Sequence, residues 1–323
     1  MITYILFAVG FFLLIKGASF LVDGASSLAK KFKVSELVVG LTIVAFGTSM
    51  PEFTVNLFAS LTHNSDIALG NILGSNIANT LLIIGICAII FPLVVKKSTA
   101  WKEIPLSLLA AILVGILGND ILFQSGEIAG LSRIDGLVLI TFFIIFLYYI
   151  FELTKNNKNN QEEISTETKI KEFGILKSII LIIVGLIGLF FGGRWIVDGA
   201  VQVAILLGIS QSVIGLTIVA LGTSLPELAA SAVATYKKRP DIAIGNIVGS
   251  NIFNIFWVLG ISAVISPLPF KGTTNIDVLM TMLASFLLFA SLFIGKKHII
   301  QRWQGILFIL LYIAYVVFLI VQN

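Results

Sequence analysis

The sequence has few charged residues, one cysteine and two histidines. Only 12% of its 323 residues are charged and 58% are hydrophobic, whereas soluble domains carry about 25% charged residues. A water-soluble globular domain is therefore excluded, and the chain is predicted to be an integral membrane protein. The single cysteine, Cys87, excludes a disulfide framework. The histidines, His63 and His298, fall between apolar runs, so a zinc or copper centre built on His or Cys ligands is not expected.

Apolar runs long enough to span a bilayer follow one another along the chain. Ten are recognised, at about 3–22, 35–60, 67–94, 103–119, 133–152, 174–197, 211–235, 242–266, 276–295 and 303–321. The first has neither a basic leader nor a small-residue cleavage site, which favours a span over a signal peptide. The one long polar stretch cannot bury a core and is predicted to be a linker. We therefore expect a five-helix repeat at 1–151, a linker at 152–173 and a second five-helix repeat at 174–323.

The two halves repeat at a fixed offset of 175 residues. The stretch Gly40-Leu-Thr-Ile-Val-Ala-Phe-Gly-Thr-Ser-Met-Pro-Glu52 returns as Gly215-Leu-Thr-Ile-Val-Ala-Leu-Gly-Thr-Ser-Leu-Pro-Glu227, and segments 40–53 and 215–228 agree at 11 of 14 positions. The same offset relates 69–79 to 244–254, each containing a Gly-Asn-Ile-x-Gly-Ser-Asn-Ile-x-Asn motif. Five helices per half is an odd number, so the second half is predicted to cross the membrane in the opposite direction.

The distribution of basic residues indicates an orientation. Loops on one predicted face hold 17 Lys and Arg residues, and the other face holds Arg133, Arg194 and Lys271. The positive-inside rule makes the richer face cytoplasmic. Both termini are then expected outside and the linker 152–173 inside, in a cell (inner) membrane. The basic residues are topology signals in short loops rather than a nucleic-acid-binding surface.

Each copy of the longer motif combines a carboxylate with a helix break inside an apolar run. Pro51 lacks an N–H and leaves the carbonyl of Gly47 without its helical partner. Thr48 and Ser49 lie four and three residues before Glu52, on nearly the same helix face. The second half repeats this set with Thr223, Ser224, Pro226 and Glu227. An ionisable residue within a span is expensive, so both glutamates are predicted to be functional.

The second motif adds polar stripes on one helix face. The stripes are Asn71, Ser75 and Asn79 in the first half and Asn246, Ser250 and Asn254 in the second. All candidate ligands are then oxygens, which hard cations prefer. Two glutamates give a formal charge of −2, which suits one Ca²⁺ or about two Na⁺ competing for one place, and such competition is the basis of antiport.

Other residues of these motifs are given structural roles. The pairs Gly70/Gly74 and Gly245/Gly249 are expected to allow close helix packing. Asp66 and Asp241 begin spans and are predicted to be helix N-caps. Asp23 and Asp198 are predicted to be caps or entrance charges near span ends.

These motifs resemble the two alpha-repeats of the sodium/calcium exchanger family, within the cation/calcium antiporter superfamily, and the resemblance covers nearly the whole chain. It implies an all-α integral membrane protein of ten helices in two inverted repeats, with helices 2, 3, 7 and 8 broken. It also implies a transporter rather than an enzyme, without a cofactor or an obligate protein partner, in which helices 1 and 6 slide against the rest. Four ion sites would form a diamond from the side chains of Glu52, Glu227, Thr48, Thr223, Ser49, Ser224, Ser75, Ser250, Asn79 and Asn254 and the carbonyls of Ala45 and Ala220.

Within that set the two glutamates would bind calcium with the help of the threonines, and the serines and carbonyls would bind sodium. Potassium-dependent exchangers have Asp where this chain has Asn254, so K⁺ is not expected to be co-transported. The expected function is Na⁺/Ca²⁺ antiport by alternating access, in the direction of Ca²⁺ export. An H⁺/Ca²⁺ antiporter is the alternative, although that branch carries Gly-Asn-x-x-Glu in this position. A cation channel lined by the two glutamates is a more distant one.

Overall fold

The computed structural model describes residues 2–119, 129–157, 172–207, 220–271 and 274–322. Within these residues, eight helices are long and apolar enough to cross a membrane, and a bent helix pair brings the number to nine. The prediction of an all-α membrane fold is thus confirmed. The predicted span at 211–235 begins outside the described residues, so the count of ten helices stays a prediction. Most of the predicted linker also lies outside the described residues.

The helices are labelled α1 to α12 in chain order. They are α1 (Ile2–Phe32), α2 (Glu36–Thr48), α3 (Met50–Leu61), α4 (Ser65–Ile90), α5 (Lys97–Leu117), α6 (Arg133–Asn157), α7 (Ile175–Leu206), α8 (Ala220–Gly222), α9 (Leu225–Tyr236), α10 (Pro240–Ile265), α11 (Thr274–Ser291) and α12 (Arg302–Gln322). Three of them contain π-helical stretches, which are Gly40–Val44 in α2, Ala78–Ile83 in α4 and Phe253–Leu259 in α10.

Four short strands form two antiparallel ribbons between helices. Strand β1 (Leu93–Val94) pairs with β4 (Ile299–Ile300), and β2 (Gly130–Leu131) pairs with β3 (Leu268–Pro269). Leu268 is the counterpart of Leu93 at the 175-residue offset. Each ribbon therefore joins one strand from each half.

Helices α1 and α7 pack against each other in antiparallel directions through glycines. A Cβ atom added to Gly10 would lie 2.9 Å from the carbonyl oxygen of Gly192, and one added to Gly17 would lie 2.8 Å from that of Gly185. Gly185 and Gly192 are the offset counterparts of Gly10 and Gly17, so exchanging the two halves reproduces the same contacts. Small residues at these points let the two backbones touch. This is the packing that an approximate two-fold axis between inverted halves produces.

The interruptions of the helices differ between spans. The α2 and α3 axes differ by 47°, and the bend is at Ser49, whose φ of −82° and ψ of 4° leave the helical range. Ser224 has nearly the same backbone angles before α9. In α4 and α10, where breaks were also predicted, the helix instead continues through its π-helical stretch, because no proline removes a backbone donor there.

Helices α4 and α10 form the centre of the molecule. Of their most apolar 18-residue windows, 78% and 83% are buried, whereas the value is 22% for α12 and 28% for α6. Polar side chains on α4 and α10 therefore face protein rather than lipid.

Gly245 and Gly249 of α10 pack closely on α2, as predicted, with Leu37 and Leu41 as neighbours. The stretch of the second half that would face Gly70 and Gly74 in the same way lies outside the described residues.

Candidate cation site

Glu52 and Glu227 occupy equivalent positions in the first turns of α3 and α9, immediately after the two helix interruptions. Both side chains are completely buried. A proline in the first turn suits a helix start because its missing N–H has no helical partner there. Carboxylates at a helix N-terminus are favoured by the free N–H groups and the helix dipole. The Gly-Thr-Ser-x-Pro-Glu sequence thus begins a helix inside the membrane with a carboxyl group on its first turn.

The carboxylate of Glu52 is held by one serine from each half. Its Oε1 accepts a hydrogen bond from Ser224 at 3.2 Å and another from Ser75 at 3.4 Å. Ser75 belongs to α4 of the same half, and Ser224 precedes α9 of the other half. The two predicted motifs therefore meet at this carboxylate.

The carboxylate of Glu227 is held in the equivalent way, with the roles of the two halves exchanged. Its Oε1 accepts a hydrogen bond from Ser49 at 3.1 Å and another from Ser250 at 3.4 Å. Each serine that follows a broken helix thus donates to the glutamate of the opposite half. All four predicted serines are buried and lie within hydrogen-bonding distance of a predicted glutamate.

Among the residues that the structure describes, four buried acceptor atoms in this region have no hydrogen-bond donor. They are Oε2 of Glu52, Oε2 of Glu227, Oδ1 of Asn79 and Oδ1 of Asn254. Leaving a buried acceptor unpaired costs about 1–3 kcal/mol, and more when it is charged. These atoms form two pairs related by the 175-residue offset, so they belong to one two-fold set. Two carboxylate and two amide oxygens without donors are a ligand set for a hard cation.

The two threonines fix asparagines beside the glutamates. Thr48 donates a hydrogen bond to Asn246 Oδ1 at 2.9 Å, and Thr223 donates one to Asn71 Oδ1 at 3.3 Å. The amide nitrogens of Asn71 and Asn246 donate in turn to the main-chain oxygens of Glu52 and Glu227, at 3.2 and 3.4 Å. Thr48 and Thr223 thus reach the glutamate backbones through a side-chain bridge, and each bridge crosses from one half to the other.

The two predicted carbonyl ligands differ in what surrounds them. The oxygen of Ala45 accepts hydrogen bonds from the Ser49 N–H at 3.0 Å and the Thr48 hydroxyl at 3.3 Å. The first is a regular helical hydrogen bond, and the second shares the single Thr48 hydroxyl proton with Asn246, so this oxygen has donors here. Ala220 is the first residue of α8 and adjoins residues 208–219, which are outside the described part of the chain.

The structure adds two asparagines that the sequence analysis did not single out. Asn79 donates its amide N–H to Oδ1 of Asn251 at 3.1 Å, and Asn254 donates to Oδ1 of Asn76 at 3.2 Å. Asn76 and Asn251 are both buried. They are counterparts at the same 175-residue offset as the ligand candidates, and this register is the signal that could have identified them.

The aspartates near the span ends take part in ion pairs instead of capping helices. The side chain that caps α4 is Asn64, which accepts from Ile67 N–H, so Asp66 is not the N-cap. Asp66 pairs with Lys271 at 3.2 Å, and Asp241 pairs with Lys96 at 2.9 Å. The N-cap residue of α10 is Arg239, which makes no side-chain capping bond, so Asp241 does not have this role either.

For Asp23 and Asp198, predicted to be caps or entrance charges, the structure contradicts the cap alternative only. They lie within α1 and α7, which continue to Phe32 and Leu206, so neither is a cap. Asp23 pairs with Lys237 at 2.7 Å, and Asp198 lies 3.9 Å from Arg194 on its own helix. All four aspartates are therefore engaged with basic residues rather than with the buried oxygen set.

Known proteins resemble this chain over most of its length. The family model for the sodium/calcium exchanger protein matches residues 2–152 and 177–321. The chain is 31% identical to the sodium/calcium exchanger MaX1 of Methanosarcina acetivorans over 98% of each sequence. It is 38% identical to an uncharacterized membrane protein of Methanocaldococcus jannaschii over 95% of this chain and 94% of that one. A solved structure of the sodium-calcium exchanger NCX_Mj, soaked with Na⁺ and Sr²⁺, matches with a TM-score of 0.81 and 37% identity, covering 98% of this chain and 97% of that one.

The match includes both halves, and the buried oxygens lie where the two repeated motifs of this sequence meet. A protein of this family is a transporter and not an enzyme, and the ions it moves are substrates rather than cofactors. The apolar spans make it a multi-pass membrane protein. The chain belongs to the sodium/calcium exchanger family.

Proposed function

We propose that this protein exchanges Na⁺ for Ca²⁺ at the site between Glu52 and Glu227. The observation that carries the proposal is the set of four buried oxygens without donors, on Glu52, Glu227, Asn79 and Asn254. A cation supplies the positive charge that these acceptors lack. Their formal charge of −2 suits one Ca²⁺ or about two Na⁺, and oxygen ligands suit both ions. Because either ion type would occupy the same carboxylates, binding of one displaces the other.

The serines give the sodium part of the proposal. Ser49, Ser75, Ser224 and Ser250 all donate their protons to glutamate oxygens. A hydroxyl oxygen that donates in this way still has two lone pairs for a cation. A Na⁺ ion next to each serine would thus be shared with a glutamate. The carbonyls of Ala45 and Ala220 remain proposed sodium ligands, and Thr48 and Thr223 remain proposed helpers of calcium.

The proposed counter-ions and direction follow from charge and from relatives. MaX1 and NCX_Mj are both named sodium/calcium exchangers, which supports Na⁺ as the counter-ion. Asn254 supplies a neutral amide, so no extra charge is present for a K⁺ ion. An inward sodium gradient would drive Ca²⁺ export, and we place the linker 152–173 in the cytoplasm and both termini outside. We propose that α1 and α7 move together against the rest of the molecule during the exchange.

The test is ⁴⁵Ca²⁺ uptake into vesicles loaded with Na⁺. Wild-type protein should take up Ca²⁺ only when Na⁺ is present inside, and Glu52→Gln should abolish uptake because it removes one of two carboxylates. Glu103→Gln is the matched control. Glu103 of α5 is also a fully buried glutamate, but its carboxylate accepts a hydrogen bond from Tyr149 of α6 rather than from the serines of this site. Normal uptake by Glu52→Gln would overturn the site.

The same vesicles separate the alternatives. An H⁺/Ca²⁺ antiporter would take up Ca²⁺ without Na⁺ and would dissipate a pH gradient while doing so. A channel would pass Ca²⁺ with no ion on the opposite side. Either result would contradict Na⁺/Ca²⁺ exchange while leaving the glutamates as cation ligands.

A further inference from the structure

The side-chain amides of Asn79 and Asn254 can face a cation in two ways. The oxygen end attracts a cation and the NH₂ end repels it, although the two ends have nearly the same shape. Something other than shape must therefore select the oxygen. In this structure both amide nitrogens already donate a hydrogen bond to an asparagine of the opposite half. Asn79 donates to Asn251, and Asn254 donates to Asn76. The oxygens are the ends left without a donor.

Asn76 and Asn251 are themselves fixed in one orientation. The amide nitrogen of Asn251 donates to Thr80 Oγ1 at 2.9 Å, and that of Asn76 donates to the main-chain oxygen of Asn251 at 3.3 Å. Since their nitrogens are taken, their oxygens must be the groups that face Asn79 and Asn254. Turning either amide around would leave buried donors unpaired, because Asn76 is 2% exposed and Asn251 is 1% exposed.

The four hydrogen-bonded asparagines lie at or just before the start of the two π-helical stretches. Asn79 is the second residue of the π-helical stretch Ala78–Ile83, and Asn254 is the second residue of Phe253–Leu259. Such stretches are frequent at functional sites. Asn76 and Asn251 precede them by two residues, at the ends of regular α-helix. Each half thus contributes one amide to the oxygen set and one amide that fixes the orientation of its partner across the two-fold axis.

We infer that Asn76 and Asn251 are positioning residues, which hold the amide oxygens of Asn254 and Asn79 toward the transported cation. The inference rests on the proposed function, since it assumes a cation between the two glutamates. Asn76 and Asn251 do not contact the ion in this proposal. They affect the affinity for the ion by fixing the direction of the amide oxygens of Asn254 and Asn79.

Equilibrium binding of ⁴⁵Ca²⁺ to purified protein without Na⁺ tests the inference. Asn251→Leu keeps the size of the side chain and removes the acceptor, so the Kd for Ca²⁺ should rise roughly 10- to 100-fold, the usual effect of losing a group that orients a metal ligand. Asn76→Leu should act in the same direction through Asn254. Asn251→Asp keeps one oxygen that accepts from Asn79, and its other oxygen can accept a hydrogen bond from the Thr80 hydroxyl, so its Kd should lie well below that of Asn251→Leu.

A buried amide outside the site provides the control. Gln304 of α12 donates to the main-chain oxygens of Ser291 and Ile294 at 2.8 and 3.2 Å. Gln304→Leu should lower thermal stability and leave the Kd unchanged. If Asn76→Leu and Asn251→Leu also leave the Kd unchanged, the positioning role is wrong.

The outcomes for the two proposals are separable. Wild-type protein that binds Ca²⁺ but shows no Na⁺-dependent uptake would refute the exchange function, while the Kd values of the asparagine variants would still decide the positioning role. Wild-type protein that binds no Ca²⁺ would overturn both.

Discussion

The hydroxyl of Ser49 lies 3.1 Å from Oε1 of Glu227, although the two residues are 178 positions apart in the chain. Ser224 and Glu52 form the reciprocal hydrogen bond at 3.2 Å. Each glutamate is therefore oriented by the helix interruption of the other half. This crossed arrangement makes the two halves dependent on each other at the centre of the molecule.

Removing one crossed hydrogen bond should weaken ion binding. Ser49→Ala takes a donor from Glu227 and also removes an oxygen from the proposed sodium set. A hydrogen bond to a charged group is worth about 1.5–3 kcal/mol, so we expect the KM for Na⁺ to rise roughly 10- to 100-fold. The measurement is Ca²⁺ efflux from vesicles as a function of external Na⁺. Ser60→Ala is the control, since Ser60 of α3 is equally buried but its hydroxyl has no hydrogen-bond partner within the described part of the chain. Equal KM values for the two variants would contradict the role of Ser49.

Exchange by the wild-type protein should not change with K⁺ concentration. Asn254 provides an amide, which carries no charge and takes up no proton. Asn254→Asp adds a third carboxylate to the buried set, so uptake by this variant should become more sensitive to acid than uptake by the wild type. The measurement is initial ⁴⁵Ca²⁺ uptake at several K⁺ concentrations and pH values. A wild-type protein that requires K⁺ would refute this prediction.

The aspartates outside the site should be dispensable for binding. Asp66 and Lys271 are more than half exposed, and such pairs contribute about 0–1 kcal/mol to folding. Asp66→Asn should therefore leave both the melting temperature and the KM for Ca²⁺ nearly unchanged. Asp241→Asn should lower the melting temperature more, because the Asp241 side chain is only 20% exposed. Loss of Ca²⁺ uptake in Asp66→Asn would instead indicate a direct role of this carboxylate.

At Gly185, α1 and α7 are too close to accommodate an added carbon atom. A Cβ at Gly185 would lie 2.7 Å from the backbone nitrogen of Leu21, so Gly185→Ala must separate the helices, at a cost of about 1–3 kcal/mol. At Gly193 of the same helix, the nearest atom would be 3.8 Å away. We expect a lower melting temperature for Gly185→Ala and no loss for Gly193→Ala, measured on purified protein in detergent. Equal melting temperatures would show that the helices are not tightly packed there.

The residues at the centre were predictable because they interrupt an apolar pattern twice, in the same register. Glu52 and Glu227 stand out as charges within spans, and Ser75 and Ser250 follow from the spacing along one helix face. Sequence spacing could not indicate which serine donates to which glutamate, since that depends on how two helices 175 residues apart approach each other.

The prediction of caps at Asp66 and Asp241 was wrong for a related reason. Their partners, Lys271 and Lys96, lie on the opposite half, and local rules consider only neighbouring backbone groups.

The orientation of the asparagine amides was also beyond sequence reasoning. Spacing placed Asn79 on the polar stripe with Asn71 and Ser75 and left Asn76 off it, but it did not indicate that Asn76 orients the counterpart of Asn79. Asn76 lies before a π-helical stretch and Asn79 lies inside it, and the repeated sequence motif does not show where that stretch begins. What the sequence does contain is the offset, which relates Asn76 to Asn251 as it relates Asn79 to Asn254.

The crossed serine bonds also bear on how such a chain could arise. A half-length protein would carry a single glutamate, with one serine of its own to hold it and no donor from across the axis. To build the same site, two identical copies would have to insert into the membrane in opposite directions and meet face to face. Duplication and fusion would remove that requirement, because each half can then acquire its own loop charges and keep one orientation.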